Sequence, residues 1–161
     1  MKRTFVVLIV IVITCASVAA AEKKKANAVH PGLFELGLYL GEPTGLSAKY
    51  WINRINAIEG VAAWAFSHGF LVVAADYLFN FPNVVQIEEE TFPLYVGAGA
   101  IMRVDMGAGG GISIGARFPL GVLYVFRGIP LEASLELVPG LYLFPDTTFL
   151  GMGGIGIRYC F

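Results

Sequence analysis

The chain has 161 residues, 57% of them hydrophobic and only 14% charged, where an ordinary soluble domain carries about 25% charged residues. Eleven Lys and Arg against twelve Asp and Glu leave a net charge of −1. Composition this apolar excludes disorder, the charge balance leaves no footprint for nucleic acid, and the length fits one domain.

The N-terminus reads as a targeting segment. Lys2 and Arg3 precede an apolar run from Phe5 to Thr14, and Ala19-Ala20-Ala21 then offers a small-residue cleavage site. This is the three-part pattern of a secretory signal peptide over residues 1–21, with an apolar run too short to cross a bilayer as a helix. The alternatives are a retained anchor and a lipoprotein processed at Cys15, where Thr14 stands in place of the small residue expected before a lipidated cysteine. Residues 22–32 form a polar leader. Cleavage leaves Cys160 alone, so no intramolecular disulfide is expected.

From Leu33 to Phe161 the sequence alternates with period two and breaks at Gly, Pro, Asn and Asp clusters into eight segments. Phe34–Gly41 sets Phe34, Leu36, Leu38 and Leu40 against Glu35 and Tyr39. Leu46–Trp51 sets Leu46 and Tyr50 against Ser47 and Lys49. Ile58–Phe66 places Ile58, Ala62 and Trp64 opposite Glu59, and Phe70–Phe79 places Val73 and Tyr77 opposite Asp76. The stretch Asn80 to Phe92, carrying Glu88-Glu89-Glu90, reads as a solvated loop. Leu94–Arg103 sets Leu94 and Val96 against Tyr95 and Arg103. Ile112–Leu123 sets Ile114 and Leu120 against Arg117, after a glycine-rich turn. Leu131–Phe144 sets Leu135 and Leu137 against Glu132 and Glu136. Phe149–Phe161 sets Ile155, Ile157, Tyr159 and Phe161 against Arg158.

Alternation does not say which face is wet. A soluble barrel hides its apolar face, whereas a membrane barrel shows it to lipid. The polar face here is too thin in charge for a solvated exterior, and it carries small residues suited to a narrow barrel interior, among them Gly37, Gly97, Gly121 and Gly154. Aromatic residues such as Trp51, Phe79, Tyr124 and Phe144 gather near segment ends, where the interfacial girdles of membrane barrels lie.

The C-terminus, with Ile157, Tyr159 and a final Phe161, resembles the insertion signal of outer-membrane barrels. With GEPTGLSAKYW (41–51), PLYVGAGA (93–100), GARFPLG (115–121) and PLEASLELVPGLYL (130–143), the chain resembles small OmpA-like transmembrane barrels. More closely, it is similar to a family of short bacterial barrels of unknown function known from spirochaetes among others. The resemblance implies an all-β fold, an eight-stranded antiparallel up-and-down transmembrane β-barrel over 33–161 after a cleaved signal peptide. It implies outer-membrane lipid and the barrel-assembly machinery as partners, and it supplies no catalytic residues.

The inward face of such a barrel gathers Lys49, Arg103, Arg117 and Arg158 against Glu35, Glu59, Asp76 and Glu136, with Glu132 nearer a strand end. Paired charges are expected there, because a lone buried charge is costly. Other motifs dissolve on inspection. The G-x-G-x-x-G of Gly151–Gly156 has only five residues after it and no room for the helix that a dinucleotide site needs. Gly107–Gly111 lacks the Lys-Ser/Thr of a P-loop, and the two histidines, His30 and His68, assemble no metal cluster by spacing. Ser67 and His68 are neighbours in a turn, a poor geometry for a nucleophile and its base beside Asp76. The expectation is a non-enzymatic, monomeric outer-membrane barrel with a structural or surface-interaction role. It would have no cofactor, metal or nucleic acid, and any host or envelope surface partner is open. A soluble secreted or periplasmic barrel with an apolar ligand, and a lipid-modifying barrel enzyme, are the alternatives. A helical span over Gly60–Phe79 is opposed by the alternation.

Overall fold

A computed structural model describes residues 32–41, 43–65, 69–87, 90–107 and 110–161. The expected signal peptide, Cys15, most of the leader, Ser67, His68, Glu88 and Glu89 lie outside the described residues. Within the described residues the chain forms nine antiparallel strands and no helix: β1 (Phe34–Gly41), β2 (Thr44–Trp51), β3 (Asn56–Ala65), β4 (Phe70–Ile87), β5 (Glu90–Asp105), β6 (Ile112–Arg117), β7 (Leu120–Val125), β8 (Leu131–Phe144) and β9 (Thr148–Cys160). β1 pairs with β9 at one seam and β4 pairs with β5, so every strand has hydrogen-bonded neighbours on both sides. The sheet closes on itself through a ring of hydrogen-bonded strands.

Nine strands make eight staves. The sequence reads Ile112–Leu123 as one segment, and the structure interrupts it at Phe118-Pro119, because proline has no N–H to give to a ladder. The register passes through without slip: Arg117 faces Gly140 and Leu120 faces Leu137 on β8, while Gly99 and Val96 face the same two residues on β5. β6 and β7 are one stave.

The registers also fix the stagger. A circuit from Leu36 runs through Ala48, Gly60, Ala75, Ala100, Ala116 and Leu141 to Phe149. Phe149 lies five residues short of Gly154, the partner of Gly41, which is itself five residues beyond Leu36. The closed sheet is thus sheared by about ten residues, which at standard strand spacings tilts the strands by about 40° and gives a Cα cylinder about 16 Å wide. Such a cylinder has room for side chains and little else.

The reading of Asn80–Phe92 as a solvated loop is overturned. β4 continues to Ile87 and β5 starts at Glu90, with Val85 facing Phe92 and Ile87 facing Glu90. A register shift between Phe81 and Val85 absorbs Pro82, and a long hairpin projects beyond the closed sheet at the end that carries both described chain ends. Phe92 stacks on Tyr124 at 5.4 Å, and Arg127 reaches Glu90 at 3.6 Å.

The two faces of the sheet are inverted relative to a soluble domain. Thirty-one large apolar side chains are exposed among the described residues, whereas eleven polar or charged side chains are buried. Leu38, Leu46, Ile58, Leu135 and Ile157 all face out, while Glu35, Lys49, Glu59, Arg117, Glu136 and Arg158 are enclosed. Glycines on the enclosed face make room for rings. A Cβ at Gly121 would stand 2.4 Å from the Tyr95 ring, which packs across the strand pair, and one at Gly154 would stand 2.7 Å from the Tyr39 ring. Apolar packing fills the space around the charges. Tyr39, Val61, Val72, Ile101 and Leu150 cluster toward the far mouth, and Trp51, Leu78, Tyr95 and Leu123 toward the chain ends.

Candidate functional site

The enclosed charges form two layers. The first is built on Arg158 of β9. Alternation turns Arg158 inward, and the register sets it directly across from Glu132 on β8. Its Nη2 donates to Glu132 Oε1 at 2.7 Å and to Ser134 Oγ at 3.0 Å. Its Nη1 donates to Glu59 Oε1 at 2.5 Å and to Ser47 Oγ at 2.9 Å. Its Nε donates to Glu132 Oε1 at 3.1 Å and lies 3.4 Å from Glu35 Oε2. One guanidinium therefore ties together side chains from β1, β2, β3 and β8, the fork geometry for which arginine is suited. Lys49 of β2 also binds Glu132, lies 3.6 Å from Glu35, and sits over the Trp51 ring at 5.1 Å. Trp51 Nε1 donates to Glu35 Oε1 at 2.6 Å.

The second layer lies between the first and the far mouth and is sparser. Arg117 of β6 lies 3.1 Å from Asp76 Oδ1 and 3.8 Å from Glu136 Oε1. Tyr95 Oη donates to Glu136 Oε2 at 2.7 Å. Both oxygens of Asp76, Oε1 of Glu136, Nε and Nη1 of Arg117 and Oη of Tyr39 are buried without a hydrogen bond of good geometry. Cross-strand pairing of Glu59 with Asp76 links the two layers.

Arg103 belongs to neither layer, contrary to the expectation of a fourth interior cation. It lies at the far mouth, about a third exposed, with its Nη2 2.6 Å from Asp105 and its guanidinium 4.0 Å above the Phe70 ring. Parity put it on the right face, but the shear carries that end of β5 up to the rim. There it borders a cup of about 520 Å³ lined by Phe70, Tyr142, Asp146 and Thr148, among others. Glu132 lies near a strand end, as the sequence suggests, being the second residue of β8; it is also fully buried and accepts from both Arg158 and Lys49. Glu35 and Lys49 are fully buried as well. Among the described residues the interior thus holds three cations, Lys49, Arg117 and Arg158, against five carboxylates, Glu35, Glu59, Asp76, Glu132 and Glu136.

The remaining chemistry is quiet. Asp76 lies against Arg117, and Ser47 and Ser134 bind within the Arg158 layer. Gly151–Gly156 lies inside β9. Cys160 is a buried free thiol, and no group of three His, Cys, Asp or Glu among the described residues has the geometry to hold a metal ion. At the C-terminus Ile157, Tyr159 and Phe161 all face outward, and Phe161 packs on Tyr159 at 4.9 Å and Phe34 at 5.9 Å. No family model, curated protein or solved structure matches this chain.

Proposed function

We propose that this chain is a non-enzymatic outer-membrane β-barrel of the small OmpA-like class, exported by a signal peptide over 1–21. Its role would be that of a monomeric structural or surface-interaction protein with a plugged, charge-paired interior. The observation that carries the reading is the inversion of its two faces. Apart from Glu90 at the projecting hairpin, no described strand presents a charged residue on the outward face, while eight charged side chains are enclosed. In water that distribution gives up hydrophobic burial and pays for charge burial at once. In lipid both signs reverse.

Dimensions support the same reading. A ten-residue strand such as β3, tilted by about 40°, rises about 25 Å, the height of the apolar band of an outer-membrane barrel. Exposed aromatics mark both ends of that band. Phe34, Tyr159 and Phe161 stand at one end, and Phe144 and Phe149 at the other. The side chains of the Arg158 and Arg117 layers cross a cylinder too narrow to leave a water column beside them, which favours an anchor or scaffold over a general porin. A soluble barrel around an apolar ligand would need an apolar lumen, and the charges lie there instead.

Fractionation tests the reading. The protein is expected to stay in carbonate-washed outer membranes and to shift in gel mobility on boiling. Deletion of Phe161, the terminal residue of the proposed assembly signal, is expected to cut that yield. Release of the wild-type protein by carbonate would overturn the proposal.

A further inference from the structure

We propose that the closed interior binds two protons at neutral pH, one in each charge layer: the first on Glu35, the second held between Asp76 and Glu136. The Arg158 layer contains two cations, Lys49 and Arg158, and three carboxyls, Glu35, Glu59 and Glu132. The Arg117 layer contains one cation and two carboxyls, Asp76 and Glu136. All eight side chains are enclosed. Among the described residues each layer is one positive charge short, and a buried carboxylate without a counter-charge neutralises itself rather than bear the cost.

Geometry says which carboxyls take the protons. Glu132 receives Lys49 and two donors of Arg158, and Glu59 receives Arg158 and Ser47, so both are held as anions. Glu35 is served least. Trp51 donates to its Oε1, while Oε2 accepts no hydrogen bond and has its cations only at 3.4 and 3.6 Å. Around it stand Lys49 and Trp51 of β2, Glu132 of β8, and Arg158 and Cys160 of β9. In the second layer Asp76 and Glu136 compete for Arg117, with Glu59 of β3, Tyr95 of β5 and Tyr39 of β1 as the other titratable groups around them. Three carboxylate oxygens there accept nothing. One proton makes a donor of one carboxyl and leaves the other as sole partner of Arg117.

A metal cation would satisfy the same count, but it needs converging oxygen ligands, and no such group of three exists among the described residues. The inference rests on the closed interior alone, and it stands whether the outer face meets lipid or detergent.

The test is infrared spectroscopy of the folded protein in detergent micelles in D2O at neutral pH, where the C=O stretch of a protonated carboxyl is separate from the carboxylate bands. Exposed carboxyls are ionised there and silent. The wild type is expected to show two protonated carboxyls per chain, Glu35→Gln and Asp76→Asn one each, and the double variant none. A folded wild type with no protonated-carboxyl band, or a count that neither substitution lowers, would overturn the proposal. If a variant fails to fold, the wild-type count alone decides.

Discussion

Arg158 and Arg117 are buried to the same degree in the same cylinder, yet they are satisfied very differently. Arg158 uses all three guanidinium nitrogens on two carboxylates and two hydroxyls from three strands. Arg117 holds two carboxylates at 3.1 and 3.8 Å and leaves Nε and Nη1 without a good hydrogen bond. The difference follows from what faces each of them. The wall opposite Arg158 supplies Ser47 and Ser134 between its acids, while that around Arg117 supplies glycines and tyrosine rings packed on glycines. The first layer works as a clasp across the β1–β9 seam, and the second as a looser plug with protonation to spare.

Removing each arginine separates the two. Arg158→Met strands Glu59 and Glu132 in the interior and is expected to cost about 3–5 kcal/mol, the usual price of breaking a buried pair. Arg117→Met is expected to cost less, because both of its carboxyls can then carry protons. Urea unfolding in micelles measures both, and an equal loss would erase the distinction drawn between the layers. The outer wall offers the next effect. Leu135→Arg, at a fully outward position, is expected to cost about 2–4 kcal/mol in a bilayer, well beyond Leu135→Ala. Equal tolerance of the two would refute the assigned face of β8.

Alkaline pH is expected to act on both layers, each of which gives up one bound proton. Protons bound in the folded interior and absent from the unfolded chain make stability fall as pH rises, by at most about 1.4 kcal/mol per pH unit for each proton. Thermal melts in micelles from neutral to alkaline pH check the slope, which Asp76→Asn is expected to lower by about half and the double variant Glu35→Gln/Asp76→Asn to flatten. The rim gives the smallest change. The Arg103–Asp105 pair is about a third exposed, so Arg103→Ala is expected to cost about 1 kcal/mol or less.

Much of this was legible in the sequence, for a physical reason. Period two assigns every strand residue to one of two faces, so Lys49, Glu59, Asp76, Arg117, Glu136 and Arg158 could be put on one wall without coordinates. Residues 34–41 and 131–144 read as segments with the same bounds as β1 and β8. Height along the cylinder was not legible. It depends on the registers and on the shear they sum to, and no local pattern encodes these. That is why Arg103, expected among the interior cations, lies at the mouth, and why the sequence puts Glu132 near a strand end, as the second residue of β8, without showing that it is enclosed across from Arg158. The loop expected over Asn80–Phe92 failed differently. Pro82 and the acidic run gave breaker signals, but the register shift between Phe81 and Val85 absorbs the proline, and the strand resumes.

The central claim is that the apolar wall faces lipid and the charged wall faces inward. Nitroxide labels at single cysteines replacing Leu135 and Ile157, in protein whose Cys160 has been replaced by alanine, test it directly in bilayer vesicles. The account predicts that both labels collide freely with oxygen, which concentrates in the bilayer, and rarely with a water-soluble nickel complex. Labels at both positions that collide with nickel and not with oxygen would contradict it.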